Sequence, residues 1–201
     1  PIPPPSPSTS MNRFGFYLPP WLICLVGLTI LPGCRPQVDN PSRDGQHGTV
    51  TTLSLILSDS SAFPVQRDTF VFDDPDGAGG NQPLRWDTLR LRPSRTYAAQ
   101  LQLTNKLASP PQDLNPLITA QGNQHLFVYQ SDTSLLTVAI TDRDLLNLPL
   151  GFQTTWETQN LGGSGSVEIN LRHIAFGKNS NSGVESGHSD IKIAFPLVIK
   201  P

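Results

Sequence analysis

From Thr49 onward the apolar residues recur at every second position, and that alternation constrains the fold of this chain more than any other feature. Successive side chains of an extended backbone point to opposite faces, so a period of two builds a strand that is buried on one side and wet on the other. The sets are Leu53/Leu55/Leu57, Phe70/Phe72, Leu89/Leu91, Tyr97/Ala99/Leu101/Leu103, Leu136/Val138/Ile140, Phe152/Thr154/Trp156, Val167/Ile169/Leu171 and Ile191/Ile193/Phe195, with a further strand at Gln124–Gln130. Turn clusters separate them: Asp-Gly, Gly-Gly, Ser-Pro-Pro and Asn-Ser-Asn-Ser-Gly. Helical spacing is not sustained over three turns anywhere. The nearest candidate, Asp113–Ala120, has Pro111 before it and Pro116 inside it, which leaves a turn of helix at most. The pattern predicts an all-β domain over 49–201, with about nine short strands in an antiparallel two-sheet sandwich. A small β-barrel is the alternative closure.

Leu91-Arg92-Pro93-Ser94-Arg95-Thr96-Tyr97 sharpens the sandwich reading. The segment resembles the corner before a late strand in fibronectin type III domains. There a Leu-x-Pro turn feeds a strand that opens with Tyr, whose ring packs inward while its hydroxyl caps nearby backbone. The resemblance implies an immunoglobulin/fibronectin-like sandwich.

The N-terminal quarter reads differently. After Met11 comes a polar stretch with one positive charge, Arg13, and then an unbroken apolar run from Trp21 to Leu31. A helix of that length rises only about 16 Å, roughly half a hydrocarbon core, so the run is too short for a stable span and suits the apolar region of a signal peptide. Leu31-Pro32-Gly33-Cys34 follows it directly. This resembles the lipobox of bacterial lipoproteins in its Leu, its small residue before the cysteine and its Cys; Pro32 departs from the usual small or β-branched residue. The resemblance implies lipid on Cys34 and cleavage between Gly33 and Cys34, since several acyl chains anchor where one binds only marginally. Residues 1–10 are Pro-rich and read as an extended segment upstream of the true start. Residues 11–33 then form the lipoprotein signal peptide and residues 34–48 a flexible Pro/Gly-rich tether. The expected location is the cell envelope, at the outer rather than the inner membrane, with the domain in the periplasm or at the surface. Cys24 and Cys34 both precede the domain, which therefore relies on its core rather than on disulfides.

Composition excludes some functions. The net charge is −2 and only 15% of residues are charged. The five arginines between Arg67 and Arg95 are interleaved with Asp68, Asp73, Asp74, Asp76 and Asp87, so no basic groove for nucleic acid forms. The loop Asp73-Asp74-Pro75-Asp76-Gly77-Ala78-Gly79-Gly80-Asn81 has the oxygen-rich, Gly-hinged character of a calcium loop, with Asp74 and Asp76 as candidate ligands. It fails the EF-hand pattern, because Arg85 falls where a bidentate Glu belongs; a looser site needs Asp142 and Asp144 at the same end of the sandwich. The plainer alternative is a hairpin whose Asp residues bond their own backbone.

The histidines are His47, His125, His173 and His188, with no two at zinc-motif spacing. His125 begins a strand. His173 continues the inward parity of Val167, Ile169 and Leu171, and a His125–His173 metal pair is one reading of it. Gly162-Gly163-Ser164-Gly165-Ser166 is a Gly/Ser turn without a base for its serines, and Glu157 and Glu168 flank it as a nominal carboxylate pair. No catalytic constellation results.

Several segments in order resemble a family of small uncharacterised envelope lipoproteins of Gram-negative bacteria. They are Phe70–Gly80, Gln124-His125-Leu126-Phe127, Leu171-Arg172-His173 and Ser189–Leu197. The family is often labelled as having a type 1 periplasmic-binding fold, which implies an α/β ligand-binding architecture. The chain departs from it in having Ser109-Pro110-Pro111-Gln112-Asp113 where an acid-rich stretch is common, and its strand pattern points to an all-β domain instead. The functional expectation is a non-catalytic envelope module that contacts a protein or a glycan. The alternative is a small-ligand carrier with an internal apolar pocket.

Overall fold

The structure, a computed structural model, describes residues 49–77 and 80–201. The expected signal peptide, the Gly33/Cys34 junction and the tether lie outside the described residues.

Eleven strands and one short helix form among the described residues. In chain order they are β1 (Thr52–Asp59), β2 (Gln66–Asp73), β3 (Arg85–Trp86), β4 (Leu89–Leu91), β5 (Thr96–Asn105), β6 (Gln112–Asp113), α1 (Asn115–Ala120), β7 (His125–Ser131), β8 (Leu136–Ile140), β9 (Gln153–Thr158), β10 (Gly163–His173) and β11 (His188–Ile199). The eight alternating sets and the further Gln124–Gln130 segment all fall on strands. The two additions, β3 and β6, are two residues long, too short to show a period.

The strands make two sheets. One has the order β3-β2-β1-β5-β9-β8, with β6 added to β5; the other has the order β4-β11-β10-β7. Every pairing is antiparallel except β4 with β11. Neither sheet closes on itself, so the domain is a sandwich and not a barrel. The α/β architecture implied by the family label is not what this chain forms.

Alternation explains the layering. Leu53, Leu55 and Leu57 of β1 and Leu101 and Leu103 of β5 point inward, while Ile193 and Phe195 of β11 and Val167, Ile169 and Leu171 of β10 meet them from the other sheet. Trp156 is fully buried, and its indole N–H donates to Thr154 Oγ1 at 2.8 Å. Tyr129 stands edge-on to Trp156 and donates its hydroxyl to the Gly151 carbonyl at 2.6 Å. The corner before β5 forms as the motif predicts: Tyr97 is buried, and its hydroxyl accepts the Arg92 N–H at 3.0 Å.

At one end of the sandwich α1 acts as a plug. Pro116 sits in its first turn, where a missing N–H costs nothing. Leu114 and Ile118 are fully buried, and the Asn115 side chain bonds both the Leu103 N–H and the Leu101 carbonyl. The chain leaves α1 through a turn at Gly122–Gln124 and enters β7 at His125, which fixes where the first histidine lies.

Candidate functional site

The three described histidines stand in one row across the four-stranded sheet. His173, the last residue of β10, is paired directly with His125, the first of β7, on one side and with His188, the first of β11, on the other. Directly opposed residues share a face. His173 has the parity of the buried Leu171, so the row belongs to the inner face where the core runs out. The rings of His125 and His173 stack with centroids 5.0 Å apart, and His188 turns edge-on to His173 at 4.9 Å. His173 Nδ1 and His188 Nε2 are 3.2 Å apart.

A β-bulge adds an acid to the row. Leu171 pairs with Ile191 but Arg172 pairs with Ser189, so Asp190 is the extra residue. In regular alternation Asp190 would face away from its inward neighbour Ile191. The bulge breaks that alternation and turns its carboxylate between two rings. Oδ1 lies 3.6 Å from His188 Nε2, and Oδ2 lies 3.6 Å from His125 Nε2. Asp190 is only 9% exposed, and neither oxygen has a hydrogen-bond partner among the described residues.

The surroundings hold this geometry. His125 is fully buried, and its Nδ1 lies 2.9 Å from the Gln121 carbonyl. A carbonyl only accepts, so Nδ1 carries the proton and Nε2 is the nitrogen directed at Asp190. The segment joining β10 to β11 folds back tightly: Arg172 donates to the Ser186 and Gly187 carbonyls at 2.9 and 2.7 Å. Gly187 has φ +62°, and a Cβ there would lie 2.0 Å from the His173 carbonyl oxygen, so only glycine permits the approach. Lys178, from the same segment, donates to the His125 carbonyl at 2.8 Å and to the Pro149 carbonyl, and pairs with Asp144 at 3.2 Å. Burial pushes the His173 imidazole below its ordinary pKa; Asp190 opposes this, and the neighbouring histidines reinforce it.

The row is graded in exposure. His125 is sealed, His173 is half-buried, and the His188 side chain is 55% exposed. Ligand atoms of His173, His188 and Asp190 all lie within 4.8 Å of one another.

The other sequence candidates fall elsewhere. Asp76 accepts both the backbone and side-chain N–H of Asn81, at 2.8 and 2.7 Å, as in the self-bonded hairpin reading. Asp74 is buried beside it, and burial together with Asp76 raises its carboxyl pKa. Asp142 and Asp144 do not join them. They follow β8, and three strands separate β8 from β2, roughly 19 Å at ordinary strand spacing. Asp142 instead accepts the Gly151 and Phe152 N–H groups, and Asp144 accepts those of Leu146 and Leu148. Glu157 and Glu168 are no pair, because the chain crosses between the sheets at 159–162; the expected Gly/Ser turn is instead the start of β10, paired along β11 from Gly163 on, and Glu168 bonds Lys192 at 2.9 Å. Sequence reasoning reached His125 and His173 but missed His188 and Asp190. The available signal was the placement of His188 and Asp190 just before the Ile191 alternation. Compared with protein-family models, curated proteins and solved structures, the chain matches none.

Proposed function

We propose that this chain is a lipid-anchored module of the bacterial envelope whose sandwich binds rather than catalyses. The observation that carries the reading is the order of its segments. An apolar run too short to span, Leu31-Pro32-Gly33-Cys34, and a Pro/Gly-rich tether precede a domain that packs its own core without cysteines. Its partner is another envelope protein or a glycan. Leu145 and Phe176 support a contact role, since they stand almost fully exposed on the two loops joined by the Lys178–Asp144 pair.

One distance weighs against serine chemistry at the histidine row. Ser164 and Ser166 open β10 while His173 closes it, and the seven residue steps of strand from Ser166 to His173 span about 23 Å. Three clefts among the described residues hold about 160, 190 and 240 Å³, each below the roughly 300 Å³ at which small-molecule pockets begin.

Expression of the full chain in a Gram-negative host tests the anchor. The expected product is a membrane-bound protein whose first peptide begins at a diacylglyceryl-modified Cys34, and Cys34→Ser leaves the precursor uncut. Mass spectrometry that finds a free thiol at Cys34 in the mature protein overturns the reading.

A further inference from the structure

We propose that His173, His188 and Asp190 form a binding site for a borderline divalent transition-metal ion of the zinc class. Spacing is the first argument. Two donors that are each about 2.0–2.2 Å from one tetrahedrally bound ion stand roughly 3.3–3.6 Å apart. The His173–His188 nitrogen separation is 3.2 Å, and His188 Nε2 to Asp190 Oδ1 is 3.6 Å. The third separation, between His173 and Asp190, is within 4.8 Å.

The carboxylate is the second argument, and it is independent of the spacing. Asp190 is 9% exposed and receives no hydrogen bond on either oxygen among the described residues. The ring nitrogens His125 Nε2 and His188 Nε2 stand 3.6 Å from it, beyond hydrogen-bond reach. A buried anion is costly unless a donor or a cation meets it. The bulge brings this acid inward to the histidine row rather than leaving it on the wet face. A cation held between Asp190 and the imidazoles supplies the missing partner.

Donor chemistry sets the class. Two imidazole nitrogens and one carboxylate oxygen suit zinc and its first-row neighbours; calcium and magnesium prefer six or more oxygens or an octahedral oxygen shell. The exposed His188 provides the entry side. This inference does not depend on the lipid anchor, because its residues all lie in the sandwich.

Calorimetry and thermal unfolding of the detergent-solubilised full chain, with zinc chloride and calcium chloride as probes, test the site. Wild type is expected to bind one zinc ion per chain and to gain thermal stability with zinc but not with calcium. His188→Ala removes an exposed ring and leaves the core intact; it should weaken zinc binding by more than about tenfold. Asp190→Asn is expected to match or exceed wild type in thermal stability under chelator and to fall below it in zinc. That reversal separates a metal ligand from a fold-supporting acid. Cobalt substitution should give visible bands without the thiolate absorption that binding at Cys24 or Cys34 would add. The proposal is overturned if zinc does not bind, if His188→Ala and Asp190→Asn bind it as wild type does, or if calcium binds as well as zinc.

Discussion

Lys178 looks in the sequence like an ordinary loop lysine between Gly177 and Asn179. In the fold its side chain is 1% exposed; its ammonium donates to the His125 and Pro149 carbonyls and pairs with Asp144, itself 2% exposed, at 3.2 Å. Burial pushes the ammonium pKa down and Asp144 opposes it. Truncating one member of a buried pair strands the other, so Lys178→Ala should cost about 3–5 kcal/mol of stability, read from urea denaturation. The same local view shows what could be read ahead of the fold. The inward parity of His173 follows from Val167, Ile169 and Leu171. The burial of Asp190 follows only from a bulge, which leaves no mark on the period.

Strands at the sheet edges carry their own polar fastenings. β3 is held to β2 by two pairings and by the Phe72–Trp86 edge-on contact at 5.1 Å. Just beyond it, Asp87 accepts the Val71 N–H at 2.8 Å and the Arg85 guanidinium at 2.7 Å. The Arg85 bond is the main cause that holds the Asp87 carboxyl below its ordinary value of 3.8; burial works against it. A carboxyl with a depressed native pKa stabilises the fold above its unfolded value. That contribution fades as pH falls from about 3.8 through the native value. Asp87→Asn should therefore cost about 0.5–1 kcal/mol at neutral pH, because the pair is partly solvated, and almost nothing at a pH below the native value. Urea midpoints of both proteins across that range should converge in acid. A difference that persists in acid would mean the Asp87 charge is not the cause.

The two sheets are joined by one apolar cluster rather than by two separate ones. Trp86 and Trp156 are the tryptophans of the described residues, and both belong to the seven-stranded sheet. Ile193 is fully buried in the other sheet. If the layers unfold together, Ile193→Ala should lower stability by about 2–5 kcal/mol and move the tryptophan-fluorescence and far-ultraviolet dichroism midpoints equally. A fluorescence midpoint that stays fixed while the dichroism midpoint moves would show layers that melt independently.

Period and turn chemistry are local, so strand content and the inward face of each strand could be read residue by residue. The Tyr97 corner could too, because its partners Arg92 and Tyr97 lie five residues apart. The arrangement of strands could not. β1 joins β5 across the β2–β4 excursion, and the short connection from β9 to β10 leads to the opposite sheet, which separated Glu157 from Glu168. The histidine row is of the same kind. Forty-eight positions separate His125 from His173 in the chain, yet antiparallel register sets them opposite one another. Register is a property of paired backbones, and no single strand carries it. Nor does a single strand show the bulge that turns a carboxylate inward, because a bulge exists only relative to the neighbour that lacks the extra residue.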